Sequence, residues 1–231
     1  MKNQSRSKTL LFSRILPILI LSTFMTFLFY TLSKIPQRNS IALLLIKDVS
    51  ASAKENSEFK KVNLQICKEI SSISKKSLVA SIKYADYAES SNQWNDIKDF
   101  KNSKCSDEKF EPLEKGTQPQ KGIDKATELL KRDEVKNLRP LVILTVHADE
   151  PIDPSQPTDH SKTLTSLTIL SKEVSERKGF LVVISGSYDG LKRELQKEAS
   201  TESIVYCTSQ SIDLCNFKAN SIKLQDTTGG N

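Results

Sequence analysis

The sequence predicts an α/β domain of three layers, α/β/α, around a mainly parallel central sheet. Three observations carry that prediction. Long apolar runs such as Ile41–Ile46 and Leu141–Val146 lack polar alternation, which suits strands buried on both faces. The segments between such runs carry apolar residues at three- and four-residue spacing, the stripe of a helix with one buried face. The two kinds of segment alternate along the chain, and that order places helices on both sides of a parallel sheet.

The first forty residues stand apart. Residues 1–14 are basic, and residues 15–33 are apolar. Ile15–Leu32 holds no charge; as a helix it would measure about 27 Å, close to the hydrocarbon thickness of a bilayer. A cleaved signal peptide would have a shorter apolar core and a small-x-small cleavage site, whereas this span runs into Thr31-Leu32-Ser33-Lys34-Ile35-Pro36. The expectation is an uncleaved signal anchor and a single-pass membrane protein. Lys2, Arg6, Lys8 and Arg14 precede the span and Lys34 and Arg38 follow it. The positive-inside rule then leaves the N-terminus in the cytoplasm and the large domain extracytoplasmic. Those six are the only charged residues before residue 41, and beyond it 28 basic residues balance 28 acidic ones. The net charge of +6 therefore belongs to the membrane-flanking segment and gives no support to nucleic-acid binding.

A polar linker, 34–40, leads into the predicted domain, 41–220. Its strands are Ile41–Ile46, Leu78–Tyr84, Leu141–Val146, Phe180–Ile184 and Ile204–Tyr206. Phe59, Val62, Ile66, Ile70 and Ile73 define the first helical face, and Ile123, Ala126 and Leu130 the second. Leu164, Leu167, Leu170 and Val174 define a third, and Leu191, Leu195 and Ala199 a fourth. Ser103–Glu114 and Ser155–His160 read as loops, and 221–231 as a disordered tail. Ligands of such sheets bind beyond the carboxyl ends of the strands.

Asp48 sits at that position, directly after the first strand, in Asp48-Val49-Ser50-Ala51-Ser52. A carboxylate and two hydroxyls spaced by two residues can converge from a tight loop on one hard cation, and Mg²⁺ prefers such oxygen donors. The pattern resembles the metal-ion-dependent adhesion site of the von Willebrand factor type A family, the integrin I-like domains, which begins Asp-x-Ser-x-Ser after the first strand. Gly116-Thr117, in a loop before a helical stretch, matches the family's Gly-Thr. The family's later strand usually ends Thr-Asp-Gly; this chain reads Thr145-Val146-His147-Ala148-Asp149, with Val146 where the acid is expected and Asp149 three residues on.

The resemblance implies a Rossmann-like fold with one short antiparallel edge strand, for which Trp94–Phe100 is the candidate. It also implies a metal site of Asp48, Ser50, Ser52 and Thr117, with Asp149 as the substitute acid. The ion would be Mg²⁺, or Mn²⁺ or Ca²⁺, and an open coordination position would take an acidic side chain of a protein partner. The chain is accordingly expected to be a binding module and not an enzyme. In the alternative, Asp48 and the serines only cap the following helix and the domain is a metal-independent scaffold of the same fold.

A metal-dependent hydrolase is the weaker third reading. An aspartyl phosphohydrolase wants a second acid two positions on, where Ser50 stands. No Gly-x-Ser-x-Gly elbow, Gly-x-Gly-x-x-Gly turn or Walker loop occurs, which argues against a serine hydrolase and against nucleotide binding. His147 and His160 are the only histidines, and His147 is expected as a hydrogen-bonded loop residue. Cys67, Cys105, Cys207 and Cys215 form no metal-binding spacing. Cys207 and Cys215 could close a small loop, and Cys67 is expected as a buried free thiol.

Overall fold

Every central strand of the sheet buries both of its faces, and the period of two along each strand decides which helices cover which face. The computed structural model describes residues 40–70, 73, 77–91, 93–102, 117–147, 160–186 and 203–208. Contacts divide the chain into the units Met1–Gln37 and Arg38–Asn231, and all described residues belong to the second. The expected anchor, the fourth helical face, the Ser103–Glu114 loop and the tail lie outside the described residues. Among those described, no helix is long and apolar enough to cross a membrane.

The elements run β1 (Ile41–Asp48), α1 (Ala51–Glu55), α2 (Ser57–Ile70), β2 (Leu78–Tyr84), β3 (Ala88–Ser90), β4 (Asn95–Asp96) and α3 (Ile97–Asn102). They continue with α4 (Pro119–Leu130), β5 (Arg139–Val146), α5 (His160–Glu176), β6 (Phe180–Ser185) and β7 (Ile204–Thr208). The sheet order is β3-β2-β1-β5-β6-β7, with β4 also paired to β2. All pairs are parallel except those of β3 and β4 with β2. The expected architecture, a mainly parallel sheet with an antiparallel edge, is the one observed.

Leu44, Ile46, Ile82, Leu144 and Val183 pack with α4 and α5 through Ile123, Leu129, Leu167 and Leu170. Their strand neighbours Leu43, Leu45, Val79, Ile143 and Val182 pack with Val62, Ile66 and Ile70 of α2. Each such fully buried aliphatic side chain contributes about 1.5–3 kcal/mol. Two-sided burial explains why the strands read as unbroken apolar runs.

The antiparallel edge departs from expectation in its position. Trp94–Phe100 is not one strand: only Asn95–Asp96 pairs with β2, and Ile97 begins a helix. Ile97 and Phe100, three apart, both pack on the α2-side core, which a helix allows and a strand does not. Five residues separate Ser90 from Asp96 where three separate their partners Ile82 and Leu78, so the edge bulges between β3 and β4. A bulged, short edge resists pairing with another chain. Helix α5 starts at His160, inside the expected loop. The described cysteines, Cys67 and Cys207, are both disulfide-bonded, which corrects the expectation of a free thiol at Cys67. Cys67 is only partly buried, because it lies beside the α2 stripe formed by Val62, Ile66 and Ile70 and not within it.

At the lower end of the sheet, Arg177 donates to the carbonyls of Leu130, Val135 and Leu138, closing the connection from α4 to β5. Higher up, α4 comes close to the sheet at Gly122. A Cβ there would lie 2.9 Å from Tyr84 Cδ1 and 3.0 Å from Ile46 Cγ2. Gly122→Val should therefore destabilise the domain by about 1–3 kcal/mol through overpacking, a cost that the slightly better helix propensity of Val over Gly offsets only in part. Urea unfolding of the two proteins measures the difference, and an unchanged midpoint would show that the helix simply shifts outward.

Candidate functional site

The chain leaves β1 toward β2 on one side of the sheet and reaches β5 on the other, so the order β2-β1-β5 has its topological switch point between β1 and β5. Crevices at such points, beyond the strands' carboxyl ends, are where open α/β sheets bind ligands. Asp48 closes β1 there and is 2% exposed.

Backbone pairing of β1 with β5 ends at Ile46 and Leu144. From there the Thr145 hydroxyl continues the connection, accepting from Asp48 N at 3.1 Å and donating to Ile46 O at 3.4 Å. On the other side Val49 N donates to Tyr84 O at 2.9 Å. Tyr84 reaches from β2 past β1, its hydroxyl donating to Thr145 O at 2.7 Å. Its buried ring is the one for which Gly122 leaves room.

The Asp48 carboxylate accepts Ser50 N on Oδ1 at 3.0 Å and His147 N on Oδ2 at 2.9 Å. Neither Lys nor Arg forms an ion pair with it among the described residues. Burial holds its carboxyl above the ordinary carboxylate range, against the hydrogen bonds from Ser50 and His147 that pull it down. Ser50 Oγ caps α1 by accepting Ala53 N at 3.4 Å, and lies 3.3 Å from Ser52 Oγ.

Thr117 is 3% exposed, and the next residue, Gln118, donates its N–H to Ala85 O at 2.6 Å, which ties the start of α4 to the end of β2. Asp48, Ser50, Ser52 and Thr117 thus share the carboxyl edge of β1 and β2. Asp149 and Gly116 lie outside the described residues. Val146 is buried in the core against α4 and α5, and strand alternation puts it on the same face as Asp48. An acid at that position would add a second carboxylate beside Asp48; the isopropyl group adds none.

His147 is hydrogen-bonded as expected, and more tightly built in than a loop residue need be. Its N–H holds Asp48, its Nε2 lies 3.0 Å from Asn56 Nδ2, and its ring meets that of Phe59 edge-on at 5.3 Å and 89°. Gly186 backs it closely: a Cβ there would come within 2.7 Å of His147 O. Sequence reading missed Tyr84, Asn56 and Thr145. Tyr84 was findable, being the last residue of a strand in register with Asp48.

The donor set fits a hard cation. It offers one buried carboxylate with no Lys or Arg ion pair among the described residues and the two neighbouring hydroxyls of Ser50 and Ser52, all oxygen. Among the described residues no three His, Cys, Asp or Glu side chains gather as a metal centre, so a zinc-type nitrogen and sulfur shell is not formed by them.

No protein family and no curated protein matches the chain in sequence. Solved structures do match its fold. An aerotolerance-related membrane protein from Bacteroides fragilis is 14% identical, with a TM-score of 0.53 over 80% of this chain and 98% of that one. A von Willebrand factor type A protein from Catenulispora acidiphila is 12% identical, with a TM-score of 0.57 over 84% of this chain and 44% of that one. Proximal thread matrix protein 1 of the mussel byssus, whose MIDAS motif holds zinc, is 14% identical, with a TM-score of 0.54 over 80% of this chain and 48% of that one.

The raised Asp48 carboxyl has a consequence for stability. The folded state holds that proton more tightly than the unfolded state, so it binds more protons between the two pKa values. Stability of the metal-free protein should then rise as pH falls from neutral through the folded value, levelling off below the ordinary carboxylate range. Urea midpoints of wild type and Asp48→Asn, compared across pH, isolate this contribution: wild type should gain on the variant with acidification. A constant difference would mean that Asp48 titrates normally. The site lies on a sheet whose likeness to these structures establishes the chain as having the von Willebrand factor type A fold.

Proposed function

We propose that the chain is a membrane-anchored, extracytoplasmic protein-binding module that uses a divalent cation to capture an acidic group of a protein partner. Asp48, Ser50, Ser52 and Thr117 hold the ion, with Asp149 supplying the carboxylate that Val146 lacks. The observation that carries this reading is Asp48 itself, a carboxylate buried at the switch point with no Lys or Arg ion pair among the described residues. Burying an uncompensated charge is costly, and native sites retain one where a cation or functional ligand compensates it.

When bound, the ion supplies positive charge that offsets the desolvation of Asp48 and offers an open position to an oxygen ligand. Mg²⁺ is the first choice for an all-oxygen shell; the zinc in the mussel protein's MIDAS motif supports a divalent cation in general. The apolar span 15–33 supplies the anchor. Disulfides at Cys67 and Cys207 support an oxidising, extracytoplasmic setting for the domain. No nucleophile or acid–base pair is needed, and the module is a binder and not an enzyme.

A second reading has its own support. Ser50 caps α1, and both Asp48 oxygens accept backbone N–H groups, so these residues also serve as a metal-free structural knot. Calorimetric titration of Mg²⁺ and Mn²⁺ separates the two. Asp48→Ala should remove metal binding, Asp149→Ala should weaken it comparably, and Asp153→Ala should leave it unchanged. A wild type that binds neither ion, and whose partner capture survives EDTA, is a scaffold.

A further inference from the structure

His147 carries a buried polar atom that nothing in the site uses. Among the described residues its Nδ1 has no hydrogen-bond partner, although the backbone N–H and Nε2 of the same residue are both engaged. Orphaned buried groups of this kind cost stability and are uncommon without a role.

The chemistry of that nitrogen is fixed from a distance. Asn56 is the residue between α1 and α2, and its Oδ1 accepts Phe59 N at 3.2 Å as the cap of α2. A backbone N–H can only donate, so the Asn56 oxygen faces Phe59 and the amide nitrogen faces His147. Asn56 Nδ2 in turn can only donate, so His147 Nε2 accepts at 3.0 Å. A neutral imidazole whose Nε2 accepts carries its proton on Nδ1. The orphan is therefore a donor. The reverse assignment would set Nδ2 of Asn56 against the Phe59 N–H, donor against donor.

This logic also rejects His147 as a metal ligand through Nδ1. Ligation would move the ring proton to Nε2, where it would meet the Asn56 N–H. The edge-on Phe59 ring and the His147 N–H bond to Asp48 hold the imidazole in place.

We propose that His147 is a specificity-determining residue of the site, donating its Nδ1–H to a carboxylate oxygen of the captured ligand while Asn56 acts as the positioning residue that sets the tautomer. The inference rests on the cation reading above and deepens it. The site then recognises a carboxylate twice, through the cation held at Asp48 and through a directed donor from His147, the residue after β5. A hydrogen bond to a charged group is strong enough to alter affinity by about tenfold or more.

The chain holds only two histidines, so ¹⁵N-histidine labelling of the full chain in detergent micelles gives two ring spin systems. Loss of one set in His147→Phe assigns them. The neutral His147 ring should be the Nδ1–H tautomer, and in Asn56→Asp, whose oxygens only accept, it should switch to Nε2–H. Acetate added with saturating Mg²⁺, against chloride at equal ionic strength, should move the Nδ1 resonance of wild type. In His147→Phe, acetate affinity should fall by about tenfold or more while the separate Mg²⁺ titration, which reports the metal ligands, holds its affinity. An Nε2–H tautomer in wild type overturns the proposal, as does equal Mg²⁺-dependent acetate affinity in wild type and His147→Phe. A wild type without Mg²⁺ binding overturns the cation reading itself and this inference with it.

Discussion

The burial of the Asp48 carboxylate at the end of the central strand constrains everything around it. A charge taken out of water must be compensated by hydrogen bonds, by an opposite charge, or by taking up a proton. Here two backbone N–H groups, from Ser50 and His147, meet its oxygens, and its carboxyl still sits above the ordinary range. Those two donors come from segments flanking the switch point, so the carboxylate fixes how the β1–α1 turn and the end of β5 face each other. A divalent cation is the remaining compensation that the neighbouring hydroxyls are chemically suited to share.

The surrounding fold serves to hold that edge rigid. Thr145 replaces the missing backbone pairing between β1 and β5, Tyr84 spans the same gap from the other side, and Gly122 lets α4 close over the Tyr84 ring. Thr117 reaches the edge because α4 begins where Gln118 is tied to Ala85. Helices on both faces leave the carboxyl edge of the strands as the place where the described sheet presents polar groups in a row. Such pre-organisation lowers the ordering cost of binding a partner.

Most of the sheet was legible in the sequence, because β1, β5 and β6 are buried on both sides and so read as nearly unbroken apolar runs. Leu78–Tyr84, polar only at Ser81 and Lys83 before its final tyrosine, was also read to the residue. Stripes on α2, α4 and α5 were legible for the complementary reason, a one-sided burial with helical period. The edge was not. Ala88–Ser90 and Asn95–Asp96 are short and polar, and their pairing depends on β2 and not on their own pattern. At the site, Asp48 and Ser50 were recognisable as a motif, whereas the roles of Asn56 and His147 follow from hydrogen bonds across 91 residues of sequence, which no local pattern encodes. Cys67 was misread because partial burial beside a helical stripe looks like membership of it.

The most direct measurement of the account is the Mg²⁺ dependence of the protein's unfolding free energy at neutral pH. A cation bound by Asp48, Ser50, Ser52 and Thr117 in the folded state alone stabilises it by mass action, by about 2.7 kcal/mol when free Mg²⁺ is a hundredfold above its dissociation constant. The account predicts a stability that climbs with the logarithm of Mg²⁺ concentration in wild type and stays flat in Asp48→Ala. A wild-type stability indifferent to Mg²⁺ and Mn²⁺ would contradict it and leave Asp48 as a structural knot.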